Sequence, residues 1–215
     1  MSLFLVDRFN RQLRDEQQAL IDAGKLAKTE ELALLEEPQL RPLAILSFQM
    51  LLGGGLFFVV LDLLSYFWHY QRWWSDPSIG GTVSWIILNI IGYVLILCVH
   101  EIIHGAVFAW WGGSPHFGAK LPLALYCGAR QQLFRRNHYL AVGLAPLIVL
   151  TLAGIIVILL FPGPASYLLL ALSGNFSGAA GDVMVAQHIA RQPASTLIED
   201  TEVGYTAWKL DGARD

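Results

Sequence analysis

The chain has 215 residues, 55% of them hydrophobic and 14% charged, with a mean hydropathy of +0.51 and a formal net charge of −3. A soluble domain carries about a quarter charged residues, so the deficit points to lipid as the solvent for much of the chain. No basic block suits nucleic acid as a partner, and two cysteines, Cys98 and Cys127, are too few for a disulfide framework and make no metal-type pair.

The N-terminus does not read as a cleavable signal peptide, because the apolar run 1–6 is short and Asp7, Arg8, Arg11 and Arg14 follow it. Residues 1–42 are polar and helix-prone. Phe4, Leu5, Phe9, Leu13, Leu20 and Ile21 recur at helical spacing among charges, which predicts an amphipathic helix, either lying on the membrane surface or capping the protein in the cytoplasm. Thr29-Glu30-Glu31 followed by Leu32, Leu34 and Leu35 predicts a second short helix, terminated by Pro38 and Pro42.

Four apolar segments follow, at 43–68, 83–111, 139–161 and 165–186. Each exceeds the roughly 20 residues needed to cross the hydrocarbon at 1.5 Å per residue. Trp68, Trp73, Trp74 and Trp85 cluster around the first connection and Trp110-Trp111 closes the second segment, as interfacial belts do. Of the 14 Lys and Arg residues, six precede the first segment, Arg72 alone lies in the first connection, four lie in the second, none in the third and three in the tail. The positive-inside rule then puts both termini and the second connection in the cytoplasm. That second connection shows partial alternation from Phe117 to Cys127, interrupted by Pro122. It reads either as an edge strand open to β-augmentation or as a solvated loop. In the tail, residues 196–200 and 205–209 flank Gly204 and predict a small hairpin.

His100-Glu101-Ile102-Ile103-His104 is an H-E-x-x-H pattern inside the second apolar segment. On a helix, residues four apart share a face, so both imidazoles can reach one metal ion. Glu101 sits beside the first ligand and can take a proton from a water held by the metal. In a membrane helix, ionisable residues are costly and mark function by default; the alternative is three polar groups satisfied between helices. A catalytic zinc needs a third protein ligand and an open position. Asp62, His69, His116, His138, His188, Asp182 and the acids of the tail compete for that role, and depth separates them. His100 and Asp182 each lie 17 residues after the outer start of their segments, about 26 Å from the outer face at the helical rise, whereas the others fall near or beyond a membrane surface. Asp182 is therefore the candidate third ligand. Gly174, Gly178 and Gly181 lead to it at spacings that let helices approach closely. Asn175 lies seven residues before Asp182 on nearly the same face, either to bind a substrate backbone or to bond a neighbouring helix.

Residues 100–105 (His-Glu-Ile-Ile-His-Gly), residues 134–139 leading to Leu144-Ala145-Pro146-Leu147, and residues 177–182 resemble the small bacterial zincin membrane peptidases, first catalogued as a domain of unknown function. The resemblance runs from about Asp62 to the tail, where residues 199–205 also fit. The arrangement is similar to that of the site-2 protease clan, in which H-E-x-x-H on one membrane helix is completed by an Asp on a later one. Here Asp182 follows Gly181, outside the Asn-Pro or Leu-Asp-Gly context familiar in that clan. The resemblance does not mark His138 as a ligand.

The expected fold is an all-α integral membrane protein of the inner membrane, multi-pass, with a cytoplasmic amphipathic segment over 1–42, a four-helix metallopeptidase domain over 43–190, and a cytoplasmic tail over 191–215, with short cytoplasmic β-hairpins where the alternation allows them. The expected function is zinc-dependent hydrolysis of membrane-protein or peptide substrates in the bilayer near the cytoplasmic face. His100, His104 and Asp182 hold Zn2+, and Glu101 is the general base. A metal-binding membrane scaffold or sensor without catalysis is the alternative, and it predicts that Glu101→Gln leaves function intact. A transporter or channel using His and Asp as a relay would show internal repeats or Gly/Pro-broken helices in matching positions; no repeat is evident, although Gly53-Gly54-Gly55 weakens the first helix.

Overall fold

The computed structural model describes residues 3–73, 78–120, 124–201 and 203–211. Trp74, Pro122, Glu202 and Arg214, used above, lie outside the described residues. The chain opens with strand β1 (Phe4–Leu5), helix α1 (Arg11–Asp22) and strand β2 (Leu26–Ala33). Helices α2 (Glu37–Tyr70) and α3 (Ile79–Trp110) follow, then strands β3 (His116–Lys120), β4 (Ala124–Gly128) and β5 (Gln132–Arg135). Next come α4 (Arg136–Leu160), α5 (Pro162–Ala165), a 3-10 turn at Ser166–Leu168, α6 (Leu169–Gly178) and α7 (Ala180–Ala190). Strands β6 (Leu197–Asp200) and β7 (Gly204–Leu210) end the described chain.

The protein is not all-α. A five-stranded mixed sheet runs in the order β1-β5-β6-β7-β2, and β3 pairs with β4 in a separate two-stranded sheet. β1 lies parallel to β5 and the other pairings are antiparallel. The second short helix expected around residues 29–35 is therefore corrected to β2, which pairs with β7 from Leu26↔Leu210 to Ala33↔Gly204. The physical reason is long-range pairing. The ladder satisfies the backbone of β2, Leu32 enters a core with Phe108, Phe134 and Tyr205, and Thr29, at the register shift, donates its hydroxyl to the Ala207 carbonyl at 3.1 Å. Such pairing overrides local propensity. Pro38 and Pro42 lie in α2 rather than ending a helix before it. The N-terminal helix is real but shorter: Phe4 and Leu5 belong to β1, Asn10 caps α1 by accepting the Leu13 N–H, and Gly24, at φ +76°, turns the chain away.

Four helical stretches are long and apolar enough to cross a membrane: Glu37–Tyr70, Ile79–Trp110, Arg136–Leu160 and Pro162–Ala190. Only 11% of the apolar window in each of the first two is buried within the protein, an exposed apolar surface of the kind a membrane protein presents. The last stretch is broken, not continuous. α6 ends at Gly178, Ala179 donates back to the Asn175 carbonyl at 3.0 Å, and α7 starts anew at Ala180.

The chain divides into two compact units. Residues 42–100 and 146–180 form one, with Phe58, Ile158, Ala165 and Leu172 at its core. Glycines let its helices approach: a Cβ on Gly54 would meet Phe176 at 2.7 Å, and one on Gly174 would meet Tyr93 at 2.2 Å. Its buried polar groups are bonded between helices. Ser65 donates to the Ile158 carbonyl at 2.9 Å, and Asn89 donates to Ser166 O and accepts from Leu170 N, satisfying the backbone where the last stretch begins. Residues 1–41, 101–145 and 181–215 form the other unit, whose core gathers Phe108, Phe134, Val142, Ile189, Ile198 and Tyr205 between the five-stranded sheet and its helices.

Candidate metal centre

α3 carries His100, Glu101 and His104 on one continuous helix, with His100 and His104 one turn apart and both buried. Asp182 sits in the first turn of α7, after the break at Ala179. Nε2 of His104 and Oδ1 of Asp182 are 3.5 Å apart, and one donor atom from each of His100, His104 and Asp182 lies within 4.8 Å of the other two. Among the described residues this is the one group of three such side chains that could hold a metal ion.

The chemistry of the donors fits zinc. Two ligand atoms about 2.0–2.1 Å from a tetrahedral ion stand about 3.4 Å apart, close to the His104–Asp182 separation. Both imidazoles are also oriented through their second nitrogen. Nδ1 of His100 donates to Asn175 Oδ1 at 2.9 Å, and Nδ1 of His104 donates to the Val142 carbonyl at 2.9 Å. A carbonyl can only accept, so Nδ1 of His104 carries a proton and Nε2, the nitrogen turned towards Asp182, is the one placed to ligate. Ligation through Nε2 with Nδ1 bonded to a carbonyl is the arrangement a metal-binding histidine uses. Two nitrogens and one carboxylate leave a fourth tetrahedral position for a reacting molecule.

Glu101 is half-buried beside His100. Its charge reaches the His104 ring and also the Cys127 thiol on β4. Burial, then the charges of Glu101 and Asp200, push that thiol up to about 12, which favours its protonated form. The hairpin β3–β4 packs on the site helix just beyond His104, where a Cβ on Gly105 would stand 2.6 Å from Phe117 and 3.3 Å from the Cys127 sulfur.

The other histidines and Asp62 stay outside the group. His69 and His188 bond the carbonyls of Ser65 and Met184, His116 faces the ring of Tyr126, and His138 stacks on Trp111 with centroids 3.7 Å apart. Asp62 is buried on α2, and its Oδ1 has no partner among the described residues.

Two supports escaped sequence reasoning. The Val142 carbonyl is a backbone group that no motif displays. Asp200, buried in the tail, accepts the Tyr139 hydroxyl at 2.9 Å on one oxygen and the Ala129 N–H at 2.7 Å on the other. It thereby ties β6 to the first turn of α4 and to the strand connection after β4. The adjacent Glu199-Asp200 pair was visible in the tail, but only the fold says which acid turns inward.

No curated protein and no solved structure matches the chain. The family resemblance drawn from the motifs has a narrower counterpart that still contains all three candidate ligands, Glu101 and Asn175: over residues 93–197, the chain matches the family described as "Putative zincin peptidase".

Proposed function

We propose that the protein is a zinc-dependent intramembrane peptidase, cleaving membrane-associated substrates near the cytoplasmic face of the inner membrane, with both termini on that side. The observation that carries this reading is the convergence of His100, His104 and Asp182 donor atoms within 4.8 Å, on helices long and apolar enough to span a bilayer. The arrangement, H-E-x-x-H on one span completed by an Asp on a later one, is similar to that of site-2 proteases. The orientation rests on the excess of Lys and Arg in the N-terminal segment, the second connection and the tail.

His100, His104 and Asp182 would hold the zinc, which when bound supplies a Lewis acid that acidifies water and polarises a carbonyl. Glu101 takes the proton from the attacking water and delivers it to the leaving amine. Asn175 and Val142 keep both imidazoles aimed, so no reorientation is needed during the reaction. The β3–β4 sheet carries no third strand among the described residues. An extended peptide added to its edge would run beside the helix of His104, because Phe117 on β3 contacts Gly105.

The test is elemental analysis paired with a cleavage assay on the full chain in detergent or vesicles. Glu101→Gln is expected to keep its zinc and lose cleavage, and Asp182→Ala to lose both. A chain whose Glu101→Gln variant acts like wild type would be the non-catalytic scaffold or sensor instead.

A further inference from the structure

Helix α4 carries a proline four residues after the carbonyl that holds His104. In an α-helix the carbonyl of residue i accepts the N–H of residue i+4. For Val142 that donor would come from residue 146, which is Pro146, inside α4 and without an N–H. The ladder therefore leaves the Val142 carbonyl over, in a place where water offers no substitute, since Val142 and Pro146 are both almost wholly buried. The group that takes it is Nδ1 of His104, at 2.9 Å. One turn before Val142, the Tyr139 hydroxyl is held by Asp200, which fixes the start of the same helix.

We propose that Pro146 is a positioning residue for the metal centre: by withholding an N–H it reserves the Val142 carbonyl for His104, and so sets the direction of that imidazole and keeps its Nδ1 occupied by a proton. The inference rests on the metal-centre reading and deepens it. A proline inside a helix ordinarily costs stability and kinks the axis. In a membrane span the freed carbonyl must find another donor, and here the donor is a candidate ligand. If Pro146 served only to bend α4, its replacement would have no reason to act selectively on metal binding.

The two roles separate in Pro146→Ala. Alanine restores the N–H, which competes with His104 for the Val142 carbonyl, while removing an intrinsically poor helix residue. The metal-free variant is expected to unfold at the same temperature as wild type or higher, while its zinc affinity, read by competition with a chromophoric chelator, falls about 10–100-fold. Proton–nitrogen NMR of the metal-free wild type is expected to show a slowly exchanging His104 Nδ1–H, held by the Val142 carbonyl, and the variant a faster-exchanging one. A wild type whose His104 Nδ1–H exchanges as fast as that of a solvent-exposed imidazole overturns the inference even if the variant fails to fold. A wild type that binds zinc, with Pro146→Ala binding it equally well, overturns the inference alone. A wild type that binds no zinc overturns the metal-centre reading and this inference together.

Discussion

Asp7 and Arg135 stand 128 positions apart in sequence, yet the guanidinium Nε donates to Asp7 Oδ2 at 2.7 Å. The same carboxylate accepts the N–H groups of Phe9 and Asn10, so one buried acid joins the turn into α1 to the end of β5.

Burial alone would raise the Asp7 pKa. The Asn10 N–H, the Arg135 guanidinium and the Phe9 N–H outweigh it and hold the carboxyl below its ordinary 3.8. The unfolded chain thus binds this proton more tightly than the folded one. The stabilisation is full above the ordinary carboxylate range and is lost as pH falls through the lowered value. Asp7→Asn is expected to cost about 1–3 kcal/mol at pH 7, the price of stranding buried donors. Thermal unfolding in detergent should show the gap from wild type closing below about pH 3.8; a gap constant down to pH 2 would mean that the ionised carboxylate is not what Asp7 contributes.

Asn175→Ala removes the acceptor of the His100 Nδ1–H and is expected to weaken zinc binding about 10–100-fold. Asn175→Asp keeps an acceptor and should keep most of the affinity. Chelator competition decides. If zinc affinity is untouched while KM alone rises, Asn175 serves the substrate instead.

Neighbouring glycines in α2 should answer alanine with opposite signs. Nothing lies within 4 Å of a Cβ on Gly53, so Gly53→Ala is expected to stabilise by up to about 1 kcal/mol through helix propensity. A Cβ on Gly54 would lie 2.8 Å from the Phe176 Cβ, too near the backbone of α6 for a rotamer change to relieve. Gly54→Ala is expected to destabilise by about 1–3 kcal/mol. Thermal unfolding of the two variants reads the difference, and equal shifts would mean that α2 and α6 do not pack this closely.

Legibility in the sequence follows the range of the interactions. The pair His100 and His104 is a local pattern fixed by helical periodicity, and Asp182 stood out as an acid within an apolar segment at a residue count matching that of His100. The β-sheet was hidden for the converse reason. β2 reads Leu-Ala-Lys-Thr-Glu-Glu-Leu-Ala, good helix residues whose strand conformation is decided by β7 at the far end of the chain, and β1 is two residues long. The break at Ala179 was masked by its setting, since Gly178, Ala179, Ala180 and Gly181 read equally well as a helix-packing face. Asn175 was noticed for its place on the helix, but its hydrogen bond to His100 required two helices to be brought together.

The strand order has a consequence for biosynthesis. β2 emerges from the ribosome early, while β7, its neighbour in the sheet, is translated last among the described elements, and Asp182 is made only shortly before it. When synthesis has reached Leu160, β2 has no sheet neighbour and His104 has no Asp182 beside it. The sheet can therefore close only after Gly204–Leu210 has been made, and β2 waits without that neighbour while every helix from α2 to α7 is synthesised.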